Sequence, residues 1–258
     1  MPKFVVVGSA SGMPVPERTH ASLLLDTEKQ CYLFDAGEGC SSSLLRCRIN
    51  HHRIGVIFIS HMHPDHCTGL PMLLQMMYLG QRTAPLEIYI PQEGTVALAE
   101  WLSNIYIFPE KLPFPTTIEP IHSGTFFLNN TALTITAFSN SHLQGYRDLV
   151  SSHYPQKTLE SYSFKIEWNK KTVVYSADLF SLNDIIPYSQ NIDLLFIEGT
   201  HIDIEDILSF LVEQHVRKTV VTHIPPELEG QEDHVRSLAS KLGVASIRLA
   251  FDGMEVSL

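Results

Sequence analysis

The stretch Val56-Ile57-Phe58-Ile59-Ser60-His61-Met62-His63-Pro64-Asp65-His66 governs how the rest of this chain is read. An apolar run of the kind a buried strand needs is followed by three imidazoles and a carboxylate within six residues. Loops leaving the ends of core strands carry chemistry in α/β proteins, because a rigid sheet holds them in place. Imidazole nitrogen and carboxylate oxygen suit zinc, manganese or iron. A single loop histidine is most often a solvated side chain. Four ligand-type residues at this spacing point to a bound metal.

The surrounding chain has room for such a site. Its 258 residues suffice for one large domain, and 44% hydrophobic with 18% charged residues describes an ordinary globular protein. No apolar run approaches the roughly 20 residues of a membrane span. The opening segment Met1-Pro2-Lys3-Phe4-Val5-Val6-Val7-Gly8 reads as a strand and not as a signal peptide. Cys31, Cys40, Cys47 and Cys67 show no paired spacing and are expected as reduced thiols in a cytoplasmic protein. Cys67 is read as packing. A net charge of −10 without a basic run counts against broad binding to a phosphate backbone. Two divalent ions would restore four positive charges at one point, enough to draw an anionic substrate there.

Strands are predicted over 4–8, 21–26, 30–35, 53–59 and 86–90, with helices over 37–46, 70–79 and 94–103. Pro109, Pro113, Pro115 and Pro120 mark an irregular crossing. Strands 126–128 and 133–137 follow around Asn129-Asn130, then 161–168 and 171–176 around Asn169-Lys170. Strand 193–197, helix 203–214, strand 219–222 and helix 231–241 come next. The chain is expected to close on 247–250 and 254–256 as a hairpin about Asp252-Gly253. No linker divides the halves. The expectation is a single domain over 1–258, a four-layer α/β/β/α sandwich.

Further ligand-type residues end other predicted strands: His142, Asp178 and His223. Each alone would pass as a turn or capping residue. Together with the motif at 61–66, the whole chain from Phe4 to Val256 resembles the metallo-β-lactamase superfamily. Within it the chain is most similar to the ribonuclease Z branch, the tRNA 3′-processing endoribonucleases. The residues that carry this are Gly8-Ser9-Ala10-Ser11-Gly12-Met13-Pro14 with Arg18, Phe34-Asp35-Ala36-Gly37-Glu38-Gly39, and the histidine motif running into Gly69-Leu70-Pro71. Beyond them stand His142, Tyr175-Ser176-Ala177-Asp178, Ile197-Glu198-Gly199-Thr200-His201 and Thr222-His223. The resemblance implies two divalent ions, zinc first, with manganese or iron as alternatives. One would be held by His61, His63 and His142, the other by Asp65, His66 and His223, with Asp178 bridging. It also implies that Asp65, His201 and Glu198 are catalytic. His201 would protonate the leaving oxygen and Glu198 would orient its ring. His201 stands 22 residues before His223, the spacing of that branch. Asp35 and Glu38 are expected to support the ligands or to hold the local structure. The glycine-rich loop 8–12 lacks the Lys-Ser/Thr of a P-loop and is expected to turn tightly near the metals.

The chain departs from the branch in two respects, one being that only two residues separate Glu198 from His201. Ribonuclease Z carries a long Gly/Pro-rich arm that grips tRNA. Here segment 143–160 is short, pairs Arg147 and Lys157 against Asp148 and Glu160, and has no Gly-Pro run. The reading is therefore a binuclear phosphodiesterase acting on an anionic substrate, small or nucleic-acid-derived, with no membrane partner; pairing of two copies stays open. The alternatives are a thioester or lactone hydrolase on the same metals, a true tRNA 3′-endoribonuclease, and a metal-binding module without catalysis.

Overall fold

Six runs rich in Val, Ile, Leu and Phe become the strands of a first sheet: β1 Lys3–Gly8, β2 Ser22–Asp26, β3 Cys31–Phe34, β4 Ile54–Phe58, β5 Leu86–Pro91 and β6 Thr116–Ile121. The structure, a computed structural model, describes residues 2–124, 126–128 (backbone only), 133–244 and 246–258. It falls into two units, Met1–Ile121 with Phe251–Leu258, and His122–Ala250.

In the first unit the C-terminal strand Met254–Ser257, β1, β2 and β3 are antiparallel in turn, and β3 to β6 are parallel. Period-two alternation divides the side chains. Val5, Val7, Leu24, Leu33, Ile57, Ile59, Ile88 and Ile90 form a core with helices α1 Cys40–Arg46, α3 Leu70–Leu79 and α4 Thr95–Asn104. The one-turn α2, Pro64–Cys67, lies between α1 and α3 in sequence. On the alternate positions Phe4, Val6, Leu23, Leu25, Phe34 and Phe58 are buried as well. The proline-marked crossing ends in a strand, contrary to the expected irregular course. Pro120 fits there because β6 is the sheet edge, where a missing N–H breaks no ladder bond.

The second unit has β7 Phe126–Leu128, β8 Leu133–Ser139, β9 Tyr162–Trp168, β10 Lys171–Tyr175, β11 Leu194–Glu198, β12 Thr219–Thr222 and β13 Ile247–Leu249. They align in chain order, antiparallel from β7 to β10 and parallel from β10 to β13. Val174, Leu195, Ile197 and Val221 pack with Ile207, Leu208, Phe210 and Leu211 of α6 Ile204–Glu213 and with Val235 and Ala239 of α7 Glu232–Lys241. The expected turn at Asn129-Asn130 lies outside the described residues. The expected closing hairpin does not form: β13 ends the second sheet and Met254–Ser257 pairs with β1 in the first. A short helix, α5 Arg147–His153, occupies segment 143–160 where none was expected. Among the described residues no helix is long and apolar enough to cross a membrane.

Candidate metal centre

In the first unit β3 and β4 end side by side, and their ends are joined by one buried carboxylate. Asp35 follows β3 with a left-handed φ of 61° and is 0% exposed. It accepts from Ser60 N at 2.7 Å and from Ser60 Oγ at 3.0 Å, and His66 Nδ1 lies 2.9 Å from Oδ2. Since a carboxylate oxygen accepts, His66 donates from Nδ1. Ser60 Oγ has one proton, already directed at Asp35, so it accepts from His61 Nδ1 at 3.0 Å. Both imidazoles thus keep their lone pair on Nε2, the tautomer a metal ligand needs. Ser60 was not singled out from the sequence, although it adjoins the motif.

His63 is the extended residue before α2, and Pro64 at the start of the helix favours that turn. Asp65 and His66 follow within the same turn, with Asp65 Oδ2 3.6 Å from His66 Nε2. His61 and His63 also offer ligand atoms within 4.8 Å of each other. The close fit requires glycine: a β-carbon on Gly37 would overlap the Asp65 carbonyl oxygen. Gly12 brings the glycine-rich loop up to Asp65, its β-carbon position lying 3.3 Å from Oδ2. Asp252 clamps that loop by accepting from Ser9 N and Oγ and from Thr19 N and Oγ1 at 2.7–3.0 Å. Of the two acids, Asp35 contacts a ligand-type residue, whereas Glu38 is exposed and lies 3.8 Å from His20 Nδ1. Cys67 packs in the core; burial pushes its thiol up to about 11, against the opposing effect of His66.

In the second unit the ligand-type residues come from three strand ends. His142 follows β8, its N–H donated to Asn140 Oδ1 and the preceding Ser141 anchored on Asp184. Asp178 follows β10 after Ala177, which has φ 48°. His223 follows β12 with φ 53°. His142 Nε2 lies 3.7 Å from Asp178 Oδ2, and His223 Nε2 lies 3.5 Å from Asp178 Oδ1. The two oxygens of one carboxylate therefore serve different imidazoles. Glu198 ends β11 and is wholly buried. It accepts from Leu179 N, Thr200 N and His201 N at 2.7–3.2 Å, and His201 Nδ1 lies 3.1 Å from its Oε1. His201 sits in the bend before α6, its side chain 38% exposed, and within 4.8 Å of Glu198 and His223 ligand atoms. Four donors fix Glu198, and Glu198 fixes the histidine.

These donor sets fit divalent metal ions. Donor atoms about 2.1 Å from one tetrahedral ion lie about 3.4 Å apart. The 3.5–3.7 Å separations seen within each unit match that spacing and exceed a good hydrogen bond.

Residues 31–224 match the model of the beta-lactamase superfamily domain. Ribonuclease Z of Pyrococcus horikoshii is 27% identical, in an alignment covering 93% of this chain and 91% of that protein. A metallo-beta-lactamase fold protein from Bacillus subtilis superposes with a TM-score of 0.78 at 21% identity, covering 99% of this chain and 98% of that one. Human tRNase Z, short form, gives 0.76 at 20% identity with the same coverage. The fold class expected from the sequence is the fold of these neighbours. The chain belongs to the metallo-β-lactamase superfamily, as a metal-dependent hydrolase close to the ribonuclease Z branch.

Proposed function

We propose that the two units act as one domain and that this chain is a binuclear phosphodiesterase. His61, His63 and His142 would hold one ion and Asp65, His66 and His223 the other, with Asp178 serving both. The observation that carries the reading is the split of the Asp178 carboxylate, one oxygen toward His142 and one toward His223. A carboxylate so placed offsets the repulsion between neighbouring cations. Zinc is the first choice for imidazole-rich donors, with manganese or iron as alternatives.

Bound there, divalent ions supply Lewis acidity to phosphate oxygens and bring the pKa of water toward neutrality. The chain's own groups do the rest. Asp35 and Ser60 hold the His66 and His61 rings, and Asp65 presents its carboxylate beside His66. Glu198 takes the Nδ1 side of His201, so the proton delivered to a leaving oxygen is the one on Nε2. A positioned acid of this kind suits an alkoxide leaving group.

Segment 143–160 supports a substrate other than precursor tRNA. It holds α5, and Arg147 is engaged with Gln144 Oε1. The deciding experiment is purified protein with zinc, then manganese, against bis(p-nitrophenyl) phosphate, a precursor tRNA, a thioester and a lactone. Metal-dependent turnover of the phosphodiester with poor tRNA cleavage is expected. Efficient, salt-sensitive 3′ trimming at nanomolar enzyme would make it a tRNA endoribonuclease, and thioester or lactone turnover alone would make it another hydrolase.

A further inference from the structure

A groove of about 450 Å³ opens beside His201, wholly within the second unit. Phe180, Ile186, His201, Asp203, Asp206 and Glu213 are among its lining residues, and among the described residues no lysine or arginine lines it. Acids at the start of α6 are by themselves a response to the helix dipole. Three further observations go beyond that. Glu213 is in the last turn of α6, where the dipole disfavours an acid. Asp203, Asp206 and Glu213 have no cationic partner among the described residues. Phe180, only two residues past Asp178, is 63% exposed on the groove wall.

We propose that this groove receives the leaving-group end of the substrate, and that it selects a flat, neutral or cationic leaving alcohol that carries no phosphate of its own. The inference rests on the phosphodiesterase reading, because it takes His201 as the acid that protonates the leaving oxygen. A ring leaving past His201 meets the Phe180 face, which provides stacking area. Its substituents enter the field of three carboxylates, which favours a cation or hydroxyl donors and repels a second phosphate. The substrate class is therefore a small phosphodiester with an uncharged or cationic cyclic alcohol on the leaving side. A polynucleotide chain running through this groove would place phosphates against Asp206 and Glu213.

The test is a series of methyl aryl phosphodiesters whose leaving phenol bears a meta trimethylammonium, nitro or sulfonate group. Each kcat/KM is divided by the rate of the same ester with hydroxide, which removes differences in leaving ability. The trimethylammonium ester is expected to exceed the sulfonate ester by about tenfold at low salt, with the nitro ester between, and the gap should narrow in high salt. Asp206→Asn combined with Glu213→Gln should cut the gap to about threefold. Phe180→Ala should lower the ratio for all three esters by up to about tenfold without changing their order. Equal ratios, a preference for the sulfonate, or a gap the double variant leaves intact would overturn the proposal. Failure to turn over any ester, bis(p-nitrophenyl) phosphate included, would sink the phosphodiesterase reading and this inference with it. Turnover without the charge order would sink the inference alone.

Discussion

The two units arm their strand ends in opposite ways. The first presents four ligand-type residues from one contiguous stretch, with Asp35, just past the neighbouring strand, holding His66 directly and His61 through Ser60. The second presents one residue from each of three strand ends, and the two histidines have separate supports: Asn140 behind His142, with Asp184 on the preceding Ser141, and Thr200 on the His223 carbonyl at 2.7 Å. A contiguous set shares one point of failure. A dispersed set depends on the sheet that brings its members together.

The largest effect is expected where dispersal converges. Asp178→Ala should remove metal from both positions, leaving less than about half an equivalent by elemental analysis of protein purified without chelator. His63→Ala should spare one ion. Equal, single-ion losses from both variants would break the proposed bridging role of Asp178.

Next comes His201, which the dispersed half adds beyond the metals. His201→Ala should keep both ions and lower kcat by about 10²–10⁴-fold, more for an alkoxide than for p-nitrophenolate. Glu198→Gln should act in the same direction and less strongly. Loss of metal from His201→Ala would make the residue a ligand and the acid assignment wrong.

The shared support of the contiguous half should show as a smaller, graded loss. Asp35→Asn should weaken metal binding about 10–100-fold, the usual cost of removing the group that holds a ligand's far nitrogen. Ser60→Ala should fall below that, because Asp35 keeps its contact with His66. If Ser60→Ala matched Asp35→Asn in a chelator competition, the hydroxyl and not the carboxylate would be setting the tautomers.

How far the sequence could be read follows the same division. His61, His63, Asp65 and His66 were legible because the motif is contiguous and follows an unmistakable apolar strand. His142, Asp178 and His223 were separately ambiguous, since any of them might close a strand as a turn residue; only the family pattern assembled them. Asp252 was read as the turn of a hairpin because pairing between sequence neighbours is the default, yet it clamps Ser9 and Thr19, some 240 residues away. Strand β6 was hidden by Pro120 and the prolines before it; an edge position tolerates Pro120. Glu198 stood out through the family pattern, but its burial did not, because that depends on four donors that no local pattern announces.

The smallest expected effect compares the acids that tie each sheet together away from the metals. Burial alone would raise the Asp26 pKa, but the two-pronged hydrogen bonds from Arg53, at 2.7 and 3.0 Å, the Glu28 N–H and nearby positive charge bring it below the usual carboxylate value. Asp193 in the second unit behaves alike: burial acts upward, while Lys171, the Thr172 N–H and Arg217 prevail. A carboxyl whose folded pKa is depressed stabilises the fold above its unfolded pKa and loses that contribution as pH falls through the folded value. Both should therefore help at neutral pH, and that help should fade as the pH falls below about 4. The Arg53 side chain is 31% exposed, whereas Lys171 and Arg217 are 46% and 73% exposed, so solvent weakens the second pair more. Asp26→Asn should cost about 1 kcal/mol in urea unfolding at pH 7 and clearly less at pH 3, with Asp193→Asn costing about half as much. A cost for Asp26→Asn that persisted unchanged at pH 3 would mean that its amide fails the turn geometry, and that charge is not what joins β2 to Arg53.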